Sequence, residues 1–151
     1  STLFPYTTLF RSNIAVPDAE TLKALLSHRF QAMTDYQRNV FMPALREEAT
    51  QAGAKLRRLL PRRLRRGLVN DGRWLQPDSR AQLSAWVAQR PRIRTLVEYR
   101  ARLAALLEAR GHDAAERLRH LQAWCHEAEE SGIAALQAYA TRLKGYTLVG
   151  A

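Results

Sequence analysis

The sequence predicts an all-α protein, and three observations lead to that fold class. Apolar residues recur at three- and four-residue steps over most of the chain, which is the spacing of one face of an α-helix. After residue 12, no stretch shows the clean apolar–polar alternation of a half-buried strand. Glycines and a capping pattern separate the apolar stretches. We therefore expect a long kinked N-terminal helix followed by a small unit of several helices.

The first twelve residues require separate treatment. Phe4 to Ser12 match, residue for residue, the translation of one reading frame of a widely used short-read sequencing adapter. They lack the long apolar core and cleavage site of a signal peptide. We expect residues 1–12 to be an assembly artefact rather than a structural segment, and the encoded protein to begin further upstream. A genuine N-terminal strand is the alternative.

Residues 13–54 are predicted to form one long helix from about Asp18 to Ala52, ending at Gly53. Pro43 lies inside this helix and should kink it, because proline removes one backbone donor. A helix of this length with a single apolar stripe has to lie on the later helices, on a missing N-terminal part or on a membrane surface. The stripe consists of Leu22, Leu25, Leu26, Phe30, Met33, Tyr36, Val40, Phe41 and Leu45.

Residues 55–72 are predicted to form a basic amphipathic hinge. Of the net charge of +10, seven positive charges lie in residues 55–66, which contain no acidic residue. The cations are Lys55, Arg57, Arg58, Arg62, Arg63, Arg65 and Arg66. Leucines at helical spacing interrupt them, namely Leu56, Leu59, Leu60 and Leu64. This profile is typical of a segment that lies against phospholipid headgroups or nucleic acid. A solvated connector between two helical parts is the alternative.

Residues 73–151 are predicted to form a C-terminal helical unit. Helix starts and ends divide it, and in chain order they are Pro77, Pro91, the capping-box pair Asp113 and Glu116, and Gly145. The apolar pattern is interrupted at residues 131–132, so the last stripe forms either one helix or two.

No catalytic, cofactor-binding or metal-ligating residue is predicted. His120 and His126 are six residues apart, which does not place them on one helical face. Cys125, the single cysteine, lies beside Trp124 on an apolar face and is interpreted as a core thiol. No run approaches the ~20 apolar residues that cross a bilayer.

Three stretches have an order and spacing that suggest a family. They are residues 18–36, residues 40–48, and residues 121–139 with residues 142–146 behind them. Together they resemble the C-terminal region of bacterial membrane fatty acid desaturases of the acyl-CoA delta-9, stearoyl-CoA desaturase-like type, a di-iron histidine-box family. The likeness covers nearly all of residues 14–149.

The resemblance implies that the parent enzyme is an integral membrane oxygenase. It would introduce a double bond into an acyl chain with dioxygen, two electrons from a donor and a di-iron centre held by histidine boxes. None of these boxes occurs in this sequence, so the fragment itself is expected to be inactive and free of iron. Its implied location is the cytoplasmic face of the bacterial inner membrane, where basic residues accumulate. Its partners would be an anionic membrane surface and the missing N-terminal membrane domain.

Two other functions remain open from the sequence. The chain could be a nucleic-acid-binding helical module, such as the C-terminal part of a transposase, because seven clustered cations can neutralise several phosphates. However, no helix clearly offers asparagine, glutamine and arginine on one face for reading bases. A partner-binding helical domain without chemistry is the third interpretation.

Overall fold

A computed structural model describes residues 8–10, 14–70, 72–108 and 113–148, and it is all-helical apart from one short two-stranded ladder. The helices are α1 (Ala19–Ser27), α2 (Arg29–Tyr36), α3 (Met42–Gln51), α4 (Leu56–Leu59), α5 (Arg62–Val69), α6 (Pro77–Ala88), α7 (Pro91–Glu108), α8 (Ala114–Glu129) and α9 (Ala134–Lys144). A π-helical turn, Gln37–Phe41, and a 3-10 turn, Gly72–Trp74, complete them. The all-α prediction is confirmed.

The prediction of one long helix over residues 13–54 is wrong, because its first helices are short. α1 ends at Ser27, and His28 leaves the helical region with φ −127° and ψ 31°. Both α1 and α2 contact α7, and α1 also packs on α8 and on the C-terminal strand. Neither glycine nor proline marks the break in the sequence.

The expected kink at Pro43 takes the form of a wider turn just before it. The Met42 N–H donates to the carbonyl of Gln37, five residues earlier, and Pro43 then opens α3. A proline ring crowds the carbonyl four residues earlier and supplies no N–H. A π-helical turn relieves this crowding. α2, the π turn and α3 consequently follow one another without a break.

Four aromatic rings form the centre of the core. Tyr36 packs edge-to-face on Phe41 and Tyr139, with ring centroids 5.4 and 5.2 Å away, and Tyr139 packs in the same way on Trp124 at 6.0 Å. The Tyr36 hydroxyl donates to the Leu96 carbonyl at 2.7 Å. These contacts join α2, α7, α8 and α9 around one hydrophobic core.

The last two helices are separate. Asp113 is the N-cap of α8, and its carboxylate accepts a hydrogen bond from the Ala115 N–H at 3.2 Å. The chain turns between α8 and α9 through Gly132, which has φ +76°. Such a positive φ strains any residue with a Cβ, so glycine suits this turn. The pattern break at residues 131–132 thus separates two helices.

A short antiparallel ladder joins residues from opposite ends of the chain. β1 (Thr8–Phe10) pairs with β2 (Tyr146–Leu148), with Leu9 opposite Thr147. β1 falls within the segment that we predicted to be an artefact, and residues 1–7 and 11–12 lie outside the described part. The origin of residues 1–12 stays a prediction.

Candidate anion-binding surface

The basic segment folds into two short helices joined at a proline. Leu60 has φ −142° and ψ 102°, and Pro61 is the N-cap of α5. A residue before proline is pushed out of the helical region by contact with the proline ring. α4 therefore ends at Leu59, and α5 sets off in a new direction at Arg62.

Most leucines of this segment face the protein's own core. Leu60 is fully buried, and Leu64 and Leu68 are only 6% and 7% exposed. Leu56 and Leu59 are partly buried. This arrangement explains the interleaved pattern of the sequence, since the same spacing serves an apolar face packed on protein or on lipid. In this fold no apolar face of α5 remains for insertion into a bilayer.

The cations consequently point outward and form what we call the basic surface. Its members are the seven predicted residues, Lys55, Arg57, Arg58, Arg62, Arg63, Arg65 and Arg66. All are exposed except Arg65, which is half-buried and donates from its guanidinium to the Leu60 carbonyl at 3.3 Å. The structure thus places six of the seven predicted site residues on two consecutive short helices, and the seventh, Lys55, is the N-cap of α4.

No carboxylate of the described residues forms an ion pair with the basic surface. Ion pairs of the described residues lie elsewhere, for example between Arg102 and Glu127 at 2.9 Å and between Lys144 and Glu129 at 2.9 Å. Arginine stays protonated at any physiological pH. The summed field of these cations therefore attracts anionic partners, and salt screens that attraction.

Two tryptophans border the basic surface, and sequence reasoning assigned neither of them to it. The Trp86 indole N–H donates to the Leu59 carbonyl at 3.0 Å, which satisfies a carbonyl at the end of α4. The Arg90 guanidinium carbon lies 4.1 Å from the Trp86 ring centroid. Trp74 is 50% exposed, and the guanidinium carbon of Arg63 lies 6.0 Å from its ring centroid. Only the proximity of Trp74 to the cations in sequence hinted at this role.

Other chemistry has little support in the described residues. They contain no group of three or more histidine, cysteine, aspartate or glutamate side chains that could hold a metal ion. Burial raises the pKa of the Cys125 thiol to about 12, so it stays protonated at neutral pH and is a poor nucleophile. None of the described helices combines the length and apolarity that a membrane crossing requires.

Comparisons with known proteins identify no relative. The chain matches no protein-family model, no curated protein and no solved structure. The likeness to fatty acid desaturases therefore rests on the residue order and spacing given above. What the basic surface does has to be argued from its geometry and charge.

Proposed function

We propose that this chain binds anionic phospholipid membranes through the basic surface of α4 and α5. One observation carries the proposal: seven cations without a carboxylate partner among the described residues lie on α4, its N-cap and α5, while Leu60, Leu64 and Leu68 of the same segment are buried. Clusters of four to eight basic residues of this kind attract anionic lipid headgroups at about 1 kcal/mol per residue.

The proposed contact is electrostatic and peripheral. Because Leu60 and Leu64 are committed to the core, α5 would lie on the headgroups without inserting an apolar face. Trp74, half-exposed at the edge of the basic surface, is the side chain suited to the headgroup layer, where tryptophan is enriched. Affinity for the membrane should therefore fall steeply as salt is added.

We propose further that the membrane-binding chain is the cytoplasmic tail of a fatty acid desaturase at the bacterial inner membrane. The resemblance of residues 18–36, 40–48 and 121–139 supports this second step. The described residues do not fit a di-iron centre, because they contain no cluster of suitable ligands. The iron, the acyl substrate and the electron donor would belong to the missing N-terminal membrane domain.

Vesicle co-sedimentation tests the membrane contact. The variant replaces Arg62, Arg63, Arg65 and Arg66 with glutamine. At about 1 kcal/mol per residue, it should lose two to three orders of magnitude in affinity for vesicles containing phosphatidylglycerol. Neutral phosphatidylcholine vesicles should bind neither protein.

A matched control carries the same loss of charge elsewhere. It replaces four exposed arginines outside the basic surface, Arg38, Arg46, Arg80 and Arg119, with glutamine. This control should bind phosphatidylglycerol vesicles within a few-fold of the unmodified chain. An equal loss of vesicle affinity in both variants would mean that net charge alone determines binding. No loss of affinity in either variant would refute the membrane contact.

Nucleic acid is the second candidate, and the pairing of Trp74 with Arg63 supports it. An exposed aromatic ring beside a guanidinium suits a stacked base of a single strand, with its phosphates on neighbouring arginines. Anisotropy of a labelled single-stranded oligonucleotide measures this alternative. If Trp74→Ala weakens oligonucleotide binding more than vesicle binding, nucleic acid is the better assignment.

A further inference from the structure

An apolar groove lies between α6 and α7, beside α5. It has a volume of about 620 Å³ and runs along α7 from Arg94 to Glu108. That stretch of helix is about 21 Å long at 1.5 Å per residue. Apolar side chains and two glycines line most of the groove, namely Phe41, Gly67, Leu68, Gly72, Leu83, Val87, Ala88, Val97, Ala101, Ala104 and Ala105. The groove is thus long, and it is open to solvent at several of its alanines.

The charges that border the groove are mostly positive. Arg94 and Arg100 line it beside Arg73, and Glu108 is the one acidic residue among the described lining residues. The Nε atom of Arg100 is buried without a hydrogen-bond partner. Arg94 is exposed and forms no ion pair with a described carboxylate. An occupant with an apolar side and negative charges at its margins would complement this groove.

We propose that the groove binds an acidic amphipathic helix of a partner protein. A helix of about fourteen residues matches its length, and the alanines allow a close approach of the partner's side chains. Large apolar residues at helical spacing would fill the space between Leu83, Val87 and Val97, and flanking glutamates would face Arg94 and Arg100. This is the helix-in-groove mode of recognition. It uses α6 and α7 and does not depend on the proposed membrane contact.

An elongated open groove suits a helix better than a small molecule. Small-molecule sites usually enclose 70–90% of the ligand surface, whereas exposed Ser84, Ala88 and Ala101 leave this groove open along one side. The positive charge favours an acidic helix, because a basic helix would meet Arg94 and Arg100 against Glu108 among the described lining residues.

The test uses an 18-residue acidic peptide with leucines at positions i, i+3, i+4, i+7 and i+11 and glutamates on the other face. A scrambled peptide of the same composition is the control for specificity. Isothermal titration calorimetry should detect saturable binding of the amphipathic peptide and at least tenfold weaker binding of the scrambled one. Amide chemical-shift changes should map to α6 and α7.

Paired variants locate the site. Ala101→Phe places a ring in the groove and should weaken peptide binding about tenfold or more, which corresponds to about 1.4 kcal/mol. Ala138→Phe places the same ring on an exposed face of α9 and should leave affinity within about twofold. Arg94→Glu should also weaken binding, whereas Arg80→Glu, at an exposed site outside the groove, should have a smaller effect. Circular dichroism confirms that each variant is folded.

Several results would overturn the proposal. Equal binding of the scrambled peptide, or unchanged affinity in both Ala101→Phe and Arg94→Glu, would remove the groove from the interaction. Loss of peptide binding only in the variant that neutralises the basic surface would assign the peptide to that surface instead. A dimer in light scattering that Ala101→Phe converts to a monomer would identify a second copy of the chain as the occupant.

Discussion

Replacing Leu60 with alanine should destabilise the fold without weakening vesicle binding. Leu60 lies in the middle of the basic segment, yet its side chain is fully buried against the core. The substitution therefore distinguishes two explanations of the leucine spacing in this segment. If the leucines serve the protein core, stability changes; if they serve a lipid bilayer, membrane affinity changes.

The magnitude follows from complete burial. Removing three carbons from a buried leucine and leaving a partly relaxed cavity costs about 2–5 kcal/mol. Leu59→Ala is the matched control, because Leu59 is only partly buried and its hydrogen bond to Trp86 uses the backbone carbonyl. We expect the control to cost clearly less than Leu60→Ala, about 1–2 kcal/mol.

Urea unfolding followed by circular dichroism at 222 nm measures the first quantity, and co-sedimentation with phosphatidylglycerol vesicles measures the second. A total stability of about 5–15 kcal/mol leaves room for the expected loss while the variant stays folded. The reasoning would be refuted if Leu60→Ala unfolds like the unmodified chain and binds vesicles at least tenfold more weakly.

Two further predictions follow from buried groups. Cys125 should react with a thiol reagent such as DTNB at pH 8 orders of magnitude faster in urea than in buffer, because burial raises its pKa to about 12; equal rates would contradict the buried position. Gly67→Ala should lower the free energy of unfolding by about 1–2 kcal/mol, because a Cβ at this position would overlap the buried side chain of Leu75. We expect this loss although alanine has a better helix propensity than glycine. A variant that is more stable in urea would show that Leu75 moves aside.

The helical class and several helix ends were predictable because they depend on local chemistry. Apolar spacing fixes which residues share a helical face, and Asp113 caps α8 as its carboxylate and position suggest. The break at His28 was not predictable in this way. Neither glycine nor proline marks it, and His28 makes no side-chain capping hydrogen bond, so no local signal in the sequence identifies it.

The residues of the candidate site were predictable from the sequence, but the direction in which the leucines among them face was not. The sequence identifies the seven cations, since their clustering needs no structure. It does not tell whether Leu60 and Leu64 face lipid or protein, because both surroundings select the same periodicity. It also gives no sign of the groove, since Ala101 and Ala104 carry neither charge nor a distinctive pattern. Such a groove arises from how α6 and α7 pack beside α5.

The indole of Trp86 and the buried Leu60 fix the backbone that carries the cations. A disordered polybasic tail loses conformational entropy when it settles on a partner, at roughly 1–2 kcal/mol per residue whose backbone becomes ordered. In this protein the backbone of α4 and α5 is already ordered in the folded chain, by the hydrogen bond to the Leu59 carbonyl and by core packing. Binding of an anionic partner therefore has to order only the side chains of the cations, which lowers its entropic cost relative to a disordered tail.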